Sequence, residues 1–180
     1  MTPAQQVAPI LAEQAAVFAR IPPATLDGAV EAIAAAPRVL VWGAGRTGFA
    51  LMGFAMRLGH LGLDAHWLPG VTTPPLRARD LLVTNASRGD LPSATAFLRQ
   101  ARALGARGAV FTAAESGAAL EAADLVWRIP AQVWEGDSVL PMGGQYEIAL
   151  WLVCDLVVAR LMARAGLPAA DLAARHATIA

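Results

Sequence analysis

With 180 residues, 56% of them hydrophobic and only 16% charged, the chain is large enough for one domain with a complete core, expected to run over 1–180. A formal net charge of zero and the lack of a basic run give nucleic-acid binding no electrostatic support. A membrane span has none either, because the apolar run 148–158 contains Asp155 and is followed by arginines.

The N-terminal part, 3–35, reads as two amphipathic helices, 3–19 and 24–35, broken by Ile21-Pro22-Pro23. The opening Met1-Thr2-Pro3-Ala4-Gln5-Gln6 has no cationic stretch leading into an apolar one, so no signal peptide is expected. An α/β core follows over 38–130. Its first strand, Val39–Trp42, runs into Gly43-Ala44-Gly45-Arg46-Thr47-Gly48 and a helix, Thr47–His60, that offers Phe49, Met52, Phe54, Met56 and Leu58 for burial. A turn of this kind aims backbone N–H groups at whatever sits above the sheet, a natural seat for an anion. A short strand, Asp64–Leu68, ends in Pro69-Gly70, and the loop Val71-Thr72-Thr73-Pro74-Pro75 leads to a strand at Leu81–Thr84. That strand enters a second polar loop, Asn85-Ala86-Ser87-Arg88-Gly89-Asp90. A helix from Pro92 to Leu104 follows, its proline in the first turn, Ser93 beside it, and Gly105 closing it.

Strands at Gly108–Thr112 and Leu125–Ile129 flank a helix near Ser116–Ala122. The last part, 144–180, holds a long helix from about Gly144 to Ala165, apolar on several sides, and a short helical tail over Ala169–Ala180. Cys154 lies in the long helix among Leu152, Val153 and Leu156, where core packing accounts for it. A lone cysteine excludes an internal disulfide framework and fits a reducing, cytoplasmic compartment. All 14 basic residues are arginine, so a Schiff-base mechanism has no amine to use. The apolar surplus reads as a surface shared between copies of the chain.

Alternating strands and helices predict a doubly wound α/β fold, a five-stranded parallel sheet between helical layers, with a binding cleft at the carboxyl edge. Gly43-x-Gly45-x-x-Gly48 matches the dinucleotide fingerprint by letter. That fingerprint also needs an acid at the carboxyl end of the second strand, which reads Trp67-Leu68-Pro69; Asp64 opens the strand instead, at the wrong edge. The glycines serve a tight turn and close helix–sheet packing whichever ligand binds.

Gly43-Ala44-Gly45-Arg46-Thr47-Gly48, Phe54-Ala55-Met56-Arg57-Leu58 and His60-Leu61-Gly62 resemble the sugar isomerase (SIS) domain family, and within it the 6-phospho-3-hexuloisomerases. The likeness continues through Thr72-Thr73-Pro74, Asp80-Leu81-Leu82-Val83, Gly105-Ala106, Pro141-Met142-Gly143 with Glu147, and Arg175-His176-Ala177. It implies a flavodoxin-like three-layer fold, a dimer or tetramer, and a phosphorylated sugar as ligand, with no metal or organic cofactor. The implied reaction moves a carbonyl between C3 and C2 of a hexulose 6-phosphate through an enediol, giving fructose 6-phosphate. Glu147 resembles the family's base; alone, it reads equally as an acid placed in the first turn for the helix dipole. His176 resembles the carboxyl-terminal histidine that in relatives reaches a neighbouring subunit's site and handles ring opening or a hydroxyl proton. Its other reading is an exposed residue on a tail.

The expected anionic end of the ligand faces Gly43, Gly45, Arg46 and Thr47 from the first loop and Asn85, Ser87, Arg88, Gly89 and Ser93 from the second. Thr72 and Thr73 are placed to donate to sugar hydroxyls, although a polar turn before a diproline explains them as well. The second loop departs from the family's Ser-Gly-Ser-Gly-Glu-Thr cradle. The positions counted back from Gly105-Ala106 hold Ala86, Ser87, Arg88, Gly89, Asp90 and Leu91. Arg88 offers a guanidinium in place of hydroxyls, and Asp90 an opposing charge or a helix cap. Two alternatives follow from that departure: a non-catalytic module that senses a sugar phosphate, and an isomerase retargeted to a different, even unphosphorylated, sugar.

Overall fold

The computed structural model describes residues 1–178. Thr2 starts the first helix through a capping box with Gln5, which satisfies two N–H groups that the first turn leaves without partners. That helix, α1 (Pro3–Phe18), is followed by α2 (Pro23–Ala35), and Pro22 and Pro23 interrupt the chain between them. Alternation then begins: β1 (Val39–Val41), α3 (Gly45–His60), β2 (Ala65–Trp67), β3 (Leu81–Asn85), α4 (Pro92–Ala103), β4 (Arg107–Thr112), α5 (Ala118–Ala122) and β5 (Leu125–Arg128). The chain closes with α6 (Gly144–Ala165) and α7 (Ala169–Ala174); the end of the expected tail helix, 179–180, lies outside the described residues.

All four strand pairings are parallel, in the order β2-β1-β3-β4-β5. The strands are short and apolar on both faces, as a sheet covered on both sides requires. Val39, Val41, Leu81, Val83, Ala109, Phe111 and Trp127 face the larger core, against α1, α2, α3 and α6. Leu40, Leu82 and Val110 alternate onto the smaller core, against α4 and α5. This is the expected three-layer α/β fold. Because β1 leads to a helix on one face and β3 to a helix on the other, their loops part at the carboxyl edge. The parting opens a crevice, the usual ligand position in such sheets.

One expectation about the core is corrected. In α3 only Phe54 and Leu58 of the five apolar candidates are buried; Phe49, Met52 and Met56 are 66%, 42% and 51% exposed. On α6, Trp151, Leu152 and Leu156 are likewise 40–48% exposed. The two helices pack side by side, with the Trp151 ring against Gly53. Their outer residues form an apolar surface that the chain itself does not cover.

Candidate active site

The first loop is set by contacts between backbones. A side chain on Gly48 would come within 2.7 Å of the Gly43 carbonyl, and one on Gly43 within 2.9 Å of both Gly48 and the Asn85 amide oxygen. These glycines therefore let α3 start directly against the end of β1 and leave Gly45 open to the crevice, with nothing within 4 Å of where its Cβ would be. Thr47 donates its hydroxyl to the Ala44 carbonyl at 2.9 Å and accepts from the Asn85 amide at 2.9 Å. Asn85 is 2% exposed and its amide oxygen has no partner. The pair ties the loop after β1 to the end of β3, across the point where the chain changes face.

Glu147 comes from α6, which packs beside α3 on the same face of the sheet. Gly143, in the left-handed region at φ 83°, turns the chain into α6. A side chain there would meet the Val133 carbonyl at 2.7 Å. Glu147 lies in the first turn of α6, its side chain 18% exposed, and one carboxylate oxygen is 2.8 Å from the Arg46 guanidinium at the start of α3. That oxygen is shut off from solvent and no donor is aligned to hydrogen-bond it, so the contact is an ion pair held by position. The two side chains share a cleft of about 310 Å³ with Phe49, Ala50, Ile148, Trp151 and Leu152. A carboxylate at the edge of an apolar cleft, facing one cation, can take a proton from a carbon acid and keep it from water.

The second loop is built differently. Gly89, at φ 84°, presses against the β4–α5 connection, where a side chain would collide with the Ser116 carbonyl. Asp90 accepts from the Ala118 N–H at 2.8 Å, so it caps α5 rather than α4. Arg88 is exposed and lies with its guanidinium 4.9 Å from the centre of the Trp134 ring. At that distance the ring's π face attracts the cation, whose N–H donors can still serve an anion. No carboxylate among the described residues pairs with Arg88. With Ser87, Gln132 and Glu135 it lines a second cleft along the same edge of the sheet.

The segment 130–143 that carries Trp134 is fastened from below. Glu13 of α1 accepts from the Ser138 hydroxyl at 2.7 Å, the Val139 N–H at 2.7 Å and the Gln145 amide at 3.1 Å. Those donors, in that order, hold its carboxyl below the usual range. Gln145 also accepts from the Gln132 N–H at 2.7 Å. Nothing in the sequence pointed to Glu13 or Trp134, since neither belongs to a motif and both partners are distant in the chain.

The remaining expected residues lie elsewhere. Thr73 spends its hydroxyl on its own turn, accepting from the Gly70 N–H and donating to the Trp67 carbonyl. Thr72 is exposed beside it, and both line a separate hollow with Met56 and His66. Ser93 is exposed on α4. His176 packs at the far end of α3, its ring 5.2 Å from that of His60. Glu147 and His176 therefore stand at opposite ends of α3 and do not meet within one chain. Asp64 precedes β2 and binds Arg38 and His66 at 2.7 and 2.6 Å, at the amino edge, so it faces no ligand above the sheet.

No protein-family model matches the chain. A Bacillus subtilis protein named 3-hexulose-6-phosphate isomerase is 30% identical over 184 residues, covering 99% of this chain and 100% of that one. A second of that name, from Methanocaldococcus jannaschii, is 31% identical over 154 residues, 86% of this chain and 83% of its own. The chain belongs to the 3-hexulose-6-phosphate isomerase family. The crystal structure of a Methanococcus jannaschii protein for which that function is inferred matches the fold with a TM-score of 0.86 at 24% identity, over 98% of this chain and 99% of the other. In this member of the 3-hexulose-6-phosphate isomerase family, the second loop places the Arg88 guanidinium 4.9 Å from the centre of the Trp134 ring.

Proposed function

We propose that this protein is an isomerase of hexulose 6-phosphate, interconverting the 3-ketose with fructose 6-phosphate through a cis-enediol. The observation that carries this reading is Glu147, held in the first turn of α6 at the apolar cleft beside Arg46, in a chain that matches named isomerases over nearly its whole length. Glu147 is the general base. It lifts the proton from C2 of the 3-ketose and returns it to C3, so that the carbonyl moves from C3 to C2 without loss of atoms. The loops at Gly43–Thr47 and Asn85–Gly89 receive the anionic end, with Arg88 as the charged donor. No step calls for a metal or organic cofactor.

The reading extends to assembly and place. Met52, Met56 and Leu156, continuing from Phe49, Trp151 and Leu152 at the cleft wall, supply an uncovered apolar surface that supports a homodimer or homotetramer with the cleft at its edge. In such an assembly His176 of a second copy serves the hydroxyl proton or ring opening at Glu147. The chain is a single SIS domain that works in the cytoplasm; no described helix is long and apolar enough to cross a membrane. The replaced hydroxyls of the second loop favour one other reading, a sensor that binds without turnover.

Glu147→Gln separates the two. As an isomerase the variant keeps its affinity for fructose 6-phosphate within about threefold and loses turnover by about 100-fold or more, as removal of a positioned base does. Equal affinity together with no turnover in either protein would establish the sensor.

A further inference from the structure

Resting on that reading, we infer that Arg46 is a second catalytic residue: its guanidinium follows the negative charge from Glu147 onto the enediolate. The cation is placed for this. It lies 2.8 Å from one oxygen of Glu147, yet 71% of its side chain is exposed at the cleft, and no N–H is aligned to bond that oxygen. Unlike the Arg38, Arg128 and Arg160 pairs, which each form an aligned hydrogen bond to their carboxylate, the Arg46 contact forms none. The rest of the guanidinium is uncommitted, on a residue that lines the cleft.

The charge balance of the reaction gives that uncommitted cation a use. Before proton transfer the negative charge is on Glu147. When Glu147 takes the proton from carbon, it becomes neutral and the electron pair of the broken C–H bond appears as charge on the former carbonyl oxygen. A fixed carboxylate–cation pair would oppose this step, because it stabilises the reactant charge alone. A cation within reach of both sites stays paired throughout and donates to the oxyanion at the moment it forms. Gly45 and Thr47 hold the backbone on either side of Arg46, Gly45 in the left-handed region at φ 58° and Thr47 through Ala44 and Asn85, so only the side chain has to move. Arg46 thereby belongs to the chemical step and leaves the anionic end of the substrate to Arg88.

The test compares affinity for the ground state with affinity for a mimic of the intermediate. Fructose 6-phosphate represents the first. 4-Phospho-D-erythronohydroxamate, whose hydroxamate oxygens stand where the C2 and C3 oxygens of the enediolate would be, represents the second. Titration calorimetry of Arg46→Gln should show the hydroxamate weakened by about tenfold or more and fructose 6-phosphate changed by less than about threefold, with kcat down by about 100-fold at a similar KM. Arg46→Lys should restore part of both losses. Equal weakening of the two ligands, or of neither, would overturn the role of Arg46 while leaving Glu147→Gln as the separate check on the isomerase reading. If the unaltered protein binds neither ligand, that reading fails and the role of Arg46 fails with it.

Discussion

At the residue scale, Arg88 beside Trp134 is the feature with the clearest consequence. Arg88 lies with its guanidinium 4.9 Å from the centre of the Trp134 ring and pairs with no carboxylate among the described residues, so its charge is available to an anion. If that charge holds the substrate's phosphate, Arg88→Ala should weaken fructose 6-phosphate by roughly 1.5–3 kcal/mol, the range for a charge-assisted hydrogen bond. Trp134→Ala should have a smaller effect in the same direction. Unchanged affinity in Arg88→Ala would remove Arg88 from the site. The residue types and order of the second loop were legible in the sequence, but its partners were not. Trp134 is far along the chain in an irregular segment, and periodicity says nothing about which loop side chains meet across a sheet edge. Asp90 illustrates the same limit. Its position just before α4 pointed to a cap for that helix, whereas the close approach of Gly89 to Ser116 and Gly117 brings it to α5 instead.

At the scale of elements, strands and helices were read closely because their boundaries carry local signals. The long helix, Gly144–Ala165, is legible because glycines bound it on both sides, Gly143 and Gly166, each in the left-handed region. Burial within an element was less legible. An apolar residue on α3 satisfies the helical period whether it faces the sheet or the outside, so Phe49 and Met56 looked like core and are surface. The far end of α3 carries a pH dependence. His60 is 7% exposed, and burial first, then Arg57 and His176, hold its pKa below the ordinary histidine value. Arg175 also reaches it, donating to the His60 carbonyl at 3.2 Å. Since the folded state disfavours the charged ring, the unfolded chain binds the proton more readily. The stability from neutral His60 is complete above the unfolded value, near 6.5, and is lost as pH falls through the folded one. Thermal melts should therefore show Tm falling from about pH 7 to about pH 5, with a shallower slope in His60→Gln. Identical slopes would mean that the α3–α7 contact does not sense protonation.

At the scale of the whole molecule, a single chain holds Glu147 at one end of α3 and His176 at the other, and it leaves uncovered an apolar surface that runs out from the cleft wall. Both are accounted for if copies of the chain complete each other's sites. Mixing two variants tests this directly. Glu147→Gln and His176→Asn, each impaired alone, should regain activity when unfolded and refolded together, because some sites then combine an intact Glu147 with an intact His176 from the neighbour. No recovery, with mixed oligomers present by mass, would confine His176 to its own chain. The fold was legible because strand–helix alternation constrains topology strongly. Assembly was legible only as an apolar surplus, since composition cannot say which face a second copy covers.

Proton exchange at one carbon distinguishes an isomerase with Glu147 as its base from a module that only binds. The most direct measurement is NMR of fructose 6-phosphate incubated with the protein in D₂O. Removal and return of the proton between C2 and C3 predicts deuterium at C3 of fructose 6-phosphate, absent in Glu147→Gln. Deuterium at C1 would show an aldose–ketose isomerisation instead. No exchange at any carbon, with the sugar phosphate bound, would contradict the assignment of Glu147 as a base.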